Sequence, residues 1–166
     1  SGTLTTLVEF DGNNGAKPVG ALVRGSDGNF YGTTTQGGAN ANGTVFKMTP
    51  SGALATLVTF DGSNGRYPWA ALVQGSDGDF YGTTIDGGVN DKGTVFKVTP
   101  SGALTTLVSF NGSNGLHPEA TLAQGSDGDF YGTTRTGGAN DKGMVFKVTP
   151  SGALTTLVSF DGSNGV

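Results

Sequence analysis

The ten residues "GSDGDFYGTT" stand at 75–84 and again, unchanged, at 125–134, and the near copy "GSDGNFYGTT" stands at 25–34. These copies are 50 residues apart, and the rest of the chain keeps the same period, because residues 51–100 and 101–150 agree at 38 of 50 positions. A period of about 50 residues is typical of propellers built from similar sheets and not of helical solenoids.

Each unit is predicted to form four short strands, which we label A to D in chain order. In the second unit these are strand A (70–75), strand B (79–85), strand C (94–99) and strand D (103–110). The sequences between them contain Asp-Gly, Gly-Gly and Pro-Ser-Gly, which favour tight hairpins between antiparallel strands. A meander of four strands per unit is the composition of a propeller blade.

Strand D carries Leu104, Val108 and Phe110 on one face and Leu107 on the other, so both faces are partly apolar. A half-exposed sheet would alternate apolar and polar residues, so we expect a neighbouring sheet on each face. The predicted fold is all-β, with three four-stranded antiparallel propeller-type blades of 50 residues in a single repeat domain, 1–166, plus a surplus N-terminal strand; a β-sandwich is the alternative. The blades are expected at about 19–60, 69–110 and 119–160.

Composition excludes several classes of function. Glycine is in excess, with 31 residues, and no window has the i, i+3, i+4, i+7 spacing of an amphipathic helix. The net charge of −4 argues against nucleic acid and anionic membrane surfaces, because both require a basic face on the protein. The sequence contains no cysteine, which excludes disulfides and thiolate metal sites, and no apolar run long enough to span a membrane.

An aspartate recurs in each A–B turn, at Asp27, Asp77 and Asp127. Asp-Gly suits a tight hairpin turn, because the carboxylate bonds its own backbone and Gly adopts positive φ. The turn is therefore our interpretation, and we expect no cofactor. The alternative is a calcium site, in which Asp77 and Asp79, and likewise Asp127 and Asp129, supply oxygen ligands.

No residue pattern indicates catalysis. The single histidine, His117, has no recognisable partner that would fix it for acid–base chemistry. The stretch "SDGDF" at 76–80 is too closely spaced for the Asp-box of sialidases, and the arginines occupy three different repeat positions. We therefore expect a protein that is not an enzyme; a fragment of a propeller enzyme is the alternative.

The copies differ mainly in the D–A connection and at the end of strand B, where the B–C connection begins. The varying residues are Ala16-Lys17, Arg66-Tyr67 and Leu116-His117, then Val19, Trp69 and Glu119, and finally Thr35-Gln36, Ile85-Asp86 and Arg135-Thr136. In an antiparallel meander these two connections leave the sheet at the same end, so we call them together the variable rim.

We predict that the variable rim carries ligand recognition, because binding residues concentrate on loops held by a rigid scaffold; drift at loop tips is the alternative. Aromatic residues and arginine are favoured as anchors, which selects Arg66, Tyr67 and Trp69 first. The full set of candidates is Arg66, Tyr67, Trp69, Ile85, Asp86, His117, Glu119 and Arg135.

Residues 3–10, "TLTTLVEF", repeat strand D with no strands A to C ahead of them, and residues 153–160 already complete the third unit. This surplus strand has no predicted partner in its own chain. Three blades are also fewer than the four or more of natural propellers, so open faces predict self-association, as a closed ring or as a head-to-tail filament made by strand donation. The self-association strand presents Leu4, Leu7, Val8 and Phe10.

The motif order resembles that of kelch blades, because "FYGTTIDGG" (80–88), "VFKVTPSG" (95–102) and "LTTLVSF" (104–110) follow one another as they do there, although the Trp of kelch strand D is missing. The wording "GSDGNFYGTT…GG…GTVFK…TPSG.LTTL.SF" is similar to the GloVer tandem repeats of bacterial surface proteins. This resemblance covers the whole chain and implies an exported, propeller-like array with no catalytic residues to transfer.

From these observations we expect a non-catalytic structural or adhesive module, extracellular or on the bacterial cell surface. Its expected partners are copies of itself. The alternative is a propeller that binds a surface glycan or a protein through the variable rim, and no nucleic acid or membrane insertion is expected.

Overall fold

The computed structural model describes residues 2–164, and within them every regular element is a β-strand. Ser1, Gly165 and Val166, at the two ends of the predicted domain, lie outside the described residues. The strands are β1 (Val23–Arg24), β2 (Phe30–Thr34), β3 (Thr44–Met48), β4 (Leu54–Thr59), β5 (Val73–Gln74), β6 (Phe80–Thr84), β7 (Thr94–Val98), β8 (Leu104–Ser109), β9 (Ala123–Gln124), β10 (Phe130–Thr134), β11 (Met144–Val148) and β12 (Leu154–Ser159). No helix in the described part is long and apolar enough to cross a membrane.

The twelve strands form three four-stranded antiparallel sheets, in the orders β1-β2-β3-β4, β5-β6-β7-β8 and β9-β10-β11-β12. This confirms the predicted fold class, with one sheet in each 50-residue unit. Each pair of central strands runs in register, for example Phe80 opposite Val98 and Thr84 opposite Thr94. A bulge between Val95 and Phe96 shifts the register of the outer strand β8. Leu107 packs against the same cluster as Val108, whereas Leu104, which was predicted to share a face with Val108, packs against the other cluster.

Strand A is shorter than predicted. The prediction covered residues 70–75, whereas β5 contains only Val73–Gln74. The backbone ahead of β5 contacts the preceding sheet, because Thr33 Oγ1 donates a hydrogen bond to Ala70 O at 3.2 Å. This bond does not set the length of the strand, since β1 of the first sheet also has two residues and has no sheet ahead of it among the described residues.

The hydrophobic core is divided into two clusters, and each lies between two consecutive sheets. One contains Tyr31, Val45, Val58, Phe60, Leu72, Phe80, Phe96 and Val98; the other contains Tyr81, Val95, Val108, Phe110, Leu122, Phe130, Met144, Phe146 and Val148. Among residues 2–164, each of these two clusters is therefore shared by two sheets. Burial of apolar surface drives stability in proportion to its area, so each sheet depends on the sheet packed beside it.

The segment 3–10 forms no strand in the described structure, and Leu4 is 96% exposed. It nevertheless contacts the first sheet, because the Phe10 ring meets Phe46 edge-on at 5.1 Å between centroids. The same edge contact joins successive sheets elsewhere, between Phe60 and Phe96 at 5.3 Å and between Phe110 and Phe146 at 5.4 Å. The segment therefore occupies the place that strand D of a preceding sheet would take.

Candidate functional site: the variable rim

The recurring aspartates lie in hairpin turns and use their oxygens within the hairpin. Asp77 Oδ2 accepts a hydrogen bond from Tyr81 OH at 2.6 Å, and Asp77 Oδ1 accepts one from Asp79 N at 3.2 Å. The equivalent bonds involve Asp27 with Asn29 and Tyr31, and Asp127 with Asp129 and Tyr131. The bond from the backbone N–H two residues on is that of a self-bonded Asp turn.

Lysines of the neighbouring strand complete this turn network. Lys47 Nζ lies 2.8 Å from Asp27 Oδ2, and its hydrogen bond, with help from Asn29, holds the pKa of Asp27 well below its usual range. The other two units pair Lys97 with Asp79 at 3.2 Å and Lys147 with Asp129 at 2.8 Å. In residues 2–164 no three His, Asp or Glu side chains come together as a metal site would require.

The D–A and B–C connections meet at one end of the molecule. Antiparallel bridges join Ala16 to Gln36, Arg66 to Asp86 and Leu116 to Thr136. A second bond ties the D–A loop to the preceding sheet, since Tyr67 N donates to Asn42 O at 2.9 Å, and His117 N repeats this with Lys92 O at 3.2 Å. The rim is therefore a hydrogen-bonded surface built from both connections.

A cleft of about 350 Å³ opens in the rim where the first and second sheets meet. Its lining residues are Lys17, Val19, Thr35, Gln36, Tyr67, Trp69, Ile85 and Asp86. They come from only four positions of the repeat, each used twice, and all four positions hold a different residue in every one of the three copies. We call this space the first-junction cleft.

The second junction, between the second and third sheets, places charged residues at some of these positions. His117 Nε2 lies 3.1 Å from Asp86 Oδ1, and Arg135 Nη1 lies 3.2 Å from Glu119 Oε1. At the first junction the corresponding pairs are Tyr67 with Gln36 and Ile85 with Trp69. An imidazole–carboxylate contact and an arginine–glutamate ion pair at one junction are thus replaced by aromatic, amide and aliphatic groups at the other.

The structure separates the predicted binding candidates into two groups. Tyr67, Trp69, Ile85 and Asp86 line the first-junction cleft, whereas His117, Glu119 and Arg135 pair at the second junction. Arg66 does not line the cleft: its Nη2 lies 3.0 Å from Asp91 Oδ2 and its Nε 3.9 Å from Asp86 Oδ2. Its guanidinium is thus held by neighbouring carboxylates.

The candidate set omitted Lys17, Val19, Thr35 and Gln36, which complete the cleft. The preference for aromatic residues and arginine as anchors does not select them. The signal that identifies them is the same variation between copies that marked the other rim residues.

Sheets that follow one another along the chain, pack face to face and present their loops at one rim define a propeller-like repeat protein. The chain belongs to the Gloeobacter/Verrucomicrobia repeat family, whose model matches residues 1–166. This confirms the resemblance to GloVer repeats that the motifs indicated. No curated protein matches the sequence.

Several solved structures are similar in fold at low sequence identity. Virginiamycin B lyase from Staphylococcus aureus gives a TM-score of 0.59 at 21% identity, over 87% of this chain and 42% of the lyase. A streptogramin B lyase gives 0.53 at 20% identity, over 81% of this chain and 38% of its own. A gluconolactonase from Xanthomonas campestris gives 0.61 at 11% identity, over 89% and 50%. This chain thus spans half or less of the length of these proteins.

The prediction that this protein is not an enzyme is wrong, because these neighbours with the same fold are two lyases and a gluconolactonase. The sequence reasoning took the absence of a known catalytic pattern as grounds for exclusion. A fold hosts chemistry through sites grafted onto it. At identities below 25% the likeness shows the fold alone, and it transfers no reaction and no catalytic residue to this chain.

Proposed function

We propose that the chain is a self-associating interaction module, whose open sheet faces dock on further sheets of the same kind. The observation that carries this proposal is a difference in burial between identical strands. Val108 in β8 is 7% exposed, whereas Val158 in β12, within the same sequence "ALTTLVSF", is 41% exposed. β8 is followed by another sheet, and β12 has no following sheet among residues 2–164. Exposed apolar faces of this kind mark interaction sites.

The two open faces carry complementary halves of the internal junctions. In each internal junction a tyrosine ring stacks on a phenylalanine ring of the next sheet. The pairs are Tyr31 with Phe80 at 3.9 Å and Tyr81 with Phe130 at 3.8 Å between centroids. Tyr131 at one end and Phe30 at the other have no such partner among residues 2–164, and both are half-buried. A second copy docked head to tail would bring these two rings together, as in a heterologous contact.

One position makes the contact between copies differ from the internal junctions. Inside the chain, Ser26 N donates to Gln74 Oε1 at 2.9 Å, and Gln74 Nε2 donates back to Ser26 Oγ at 3.2 Å. The residue that corresponds to Gln74 on the open first sheet is Arg24. Arginine has no acceptor atom in its side chain, so it leaves the backbone N–H of Ser126 from another copy without this bond.

The test is the mass of the protein in solution over a range of concentrations, by sedimentation velocity. We expect the mass to rise with concentration, Leu157→Asp on the open face to weaken association, and Arg24→Gln to strengthen it. Val89→Asp is the matched control, because Val89 is exposed on a B–C connection away from the sheet faces. The mass of a single chain at every concentration, for the wild type and for Arg24→Gln, would overturn the proposal.

The segment 3–10 gives the proposal a second test. A Cβ built on Gly52 lies 2.6 Å from Leu7 O, just as Gly102 and Gly152 approach Leu57 O and Leu107 O at 2.9 and 2.8 Å. The segment 3–10 would therefore occupy the same position on the first sheet as strand β12 of a docked copy. The segment would contribute the apolar side chains of Leu4, Leu7, Val8 and Phe10 to either contact.

Deletion of residues 1–12 distinguishes two roles for this segment. Loss of association would support strand donation, in which the segment pairs with the edge strand β12 of another copy. Stronger association would support a cap that shields the open first sheet. An unchanged mass distribution would remove the segment from the proposal.

A second candidate function is binding of a glycan or a protein at the variable rim, and the first-junction cleft favours it. We place both activities outside the cell or on the bacterial surface, which the likeness of the motifs to repeats of surface proteins supports. Protease accessibility of the protein on intact cells tests this location, and full protection in intact but not in lysed cells would contradict it.

A further inference from the structure

We propose that the first-junction cleft binds a neutral carbohydrate, with the Trp69 ring against the sugar face and Gln36, Lys17 and Asp86 bonding its hydroxyl groups. This inference rests on the proposed binding role of the variable rim and names the ligand class. It is independent of self-association, since the cleft lies at an internal junction.

The pattern of variation is the first argument. Only six of the fifty repeat positions differ in all three copies, and four of them supply every residue that lines the cleft. Drift at exposed positions would spread more widely. The exposed turn residues Ser26, Asp27, Pro50 and Ser51 are unchanged in every copy of the repeat. The variation is therefore concentrated at one concave place.

The chemistry of the lining is the second argument. Trp69 is 50% exposed and is the only tryptophan of the chain. Val19 and Ile85 add aliphatic surface, so the cleft offers apolar area that water covers poorly. An aromatic face in this setting suits the C–H face of a sugar ring, which is apolar although its edge is polar. A fully apolar ligand would leave the polar groups of the same cleft unpaired.

Charge is the third argument. The cleft contains one cation, Lys17, and one anion, Asp86, so its formal charge is zero. Within residues 2–164, the side chains of Lys17 and Gln36 make no hydrogen bond or ion pair with the rest of the protein. They offer donors, and the Gln36 side-chain oxygen offers an acceptor. The Asp86 carboxylate lies near His117 and Arg66, and its remaining lone pairs offer further acceptor sites. This is a set for hydroxyl groups, and it favours neither a phosphate nor a cationic peptide.

The backbone under the cleft is held rigid. Lys17 and Tyr67 have φ of 56° and 58°, in the left-handed region that non-glycine residues rarely adopt. Thr35 N and Thr35 Oγ1 both donate to Lys17 O at 3.1 Å, and Ile85 N donates to Tyr67 O at 3.2 Å. Such conformations persist where surrounding bonds over-determine them. A pre-organised loop loses less freedom on binding, and a volume of about 350 Å³ lies in the range of small-ligand sites.

The tryptophan supplies a direct readout. One array compares neutral oligosaccharides, sialylated and uronic-acid oligosaccharides, and immobilised peptides. Each probe that binds is then titrated into the protein, and the intrinsic fluorescence of Trp69 is followed. We expect a saturable change with one or more neutral oligosaccharides. Tyr67→Ala, which keeps the reporter, and Trp69→Ala, followed by calorimetry, should each weaken binding about tenfold or more.

Glu119→Ala is the matched control, because Glu119 occupies the position of Trp69 at the second junction and lies outside the cleft. It should leave the affinity unchanged. Neutral-sugar binding that survives Trp69→Ala would overturn the inference. Binding of anionic sugars or peptides alone, lost in Trp69→Ala, would overturn the carbohydrate class and leave the rim as a binding surface. No binding to any probe would overturn both.

Discussion

The second and third sheets share one sequence over most of their length and differ in what covers them. Strands β8 and β12 both lie in "ALTTLVSF", yet the second sheet is packed between two neighbours and the third has one. Phe110 is fully buried, and its counterpart Phe160 is half-buried. The difference shows that the burial of a residue in this fold depends on whether a second sheet packs on its face. The same residue type therefore contributes differently to stability in the two sheets.

The largest expected effect tests this difference directly. Phe110→Ala removes a fully buried ring that packs edge-on against Phe146, and we expect it to lower the free energy of unfolding by about 3–5 kcal/mol. Phe160→Ala should cost about 1–2 kcal/mol, because solvent already covers part of that ring. Urea unfolding followed by circular dichroism at low protein concentration measures both.

Repeating both unfolding measurements at several protein concentrations tests whether other copies cover the third sheet. If further copies cover the third sheet, the cost of Phe160→Ala should rise with protein concentration, whereas that of Phe110→Ala should not. Equal costs at low concentration would show that the two sheets are covered alike and would break the comparison.

A smaller difference is expected for the tyrosines. Tyr81 OH donates to the Asp77 carboxylate at 2.6 Å from a buried ring, and Tyr131 OH donates to Asp127 at 2.7 Å from a ring that is partly exposed. Tyr81→Phe should cost about 1.5–3 kcal/mol, since it removes a hydrogen bond to a charged group.

Tyr131→Phe should cost less, because water can replace the lost donor at the exposed carboxylate. The two variants have the same change in composition, so each serves as the control for the other in thermal unfolding. A larger loss for Tyr131→Phe than for Tyr81→Phe would contradict the role given to the covering sheet.

The sequence was sufficient for the parts of the fold that depend on local signals. The turn at Asp77-Gly78 and the 50-residue period predicted three four-stranded sheets, and the apolar residues on both faces of strand D predicted the packing between them. The hydrogen bond from Thr33 to Ala70 O of the next sheet was not predictable from the sequence. A contact of that kind depends on how two sheets are placed beside each other.

The sequence likewise predicted some features of the candidate site and not others. Comparison between copies marked Tyr67 and Trp69, and these do line the cleft. It did not show that Asp86 meets His117 across the second junction at 3.1 Å, because residues 31 positions apart are brought together only by the rotation of one sheet on the next. The cleft at the first junction and the paired side chains at the second therefore depend on how neighbouring sheets pack together.

The smallest expected effect concerns the aspartate bonds of the A–B turns, which lie within one sheet. The serine of the same turn, by contrast, bonds to the next sheet. The hydrogen bond from Tyr131 OH, with further help from the Asp129 backbone and the charge of Lys147, holds the pKa of Asp127 below its ordinary value. A carboxyl group whose pKa is lower in the folded state stabilises the fold fully above its unfolded pKa of about 3.9. That contribution is lost as the pH falls below about 4 towards the folded pKa.

Asp127→Asn should therefore flatten the acid limb of the stability curve below about pH 4, and it should lower stability only slightly at neutral pH because the group is exposed. Urea midpoints measured on both sides of pH 4 check this, and Glu9→Gln, which removes an exposed carboxylate from the segment 3–10, is the control. The variant Asp27→Asn should flatten its acid limb more strongly, because the Lys47 hydrogen bond lowers the pKa of Asp27 further in the first sheet. If Asp127→Asn left the acid limb as steep as in the wild type, the bonds within the turn would not make the contribution to stability assigned to them here.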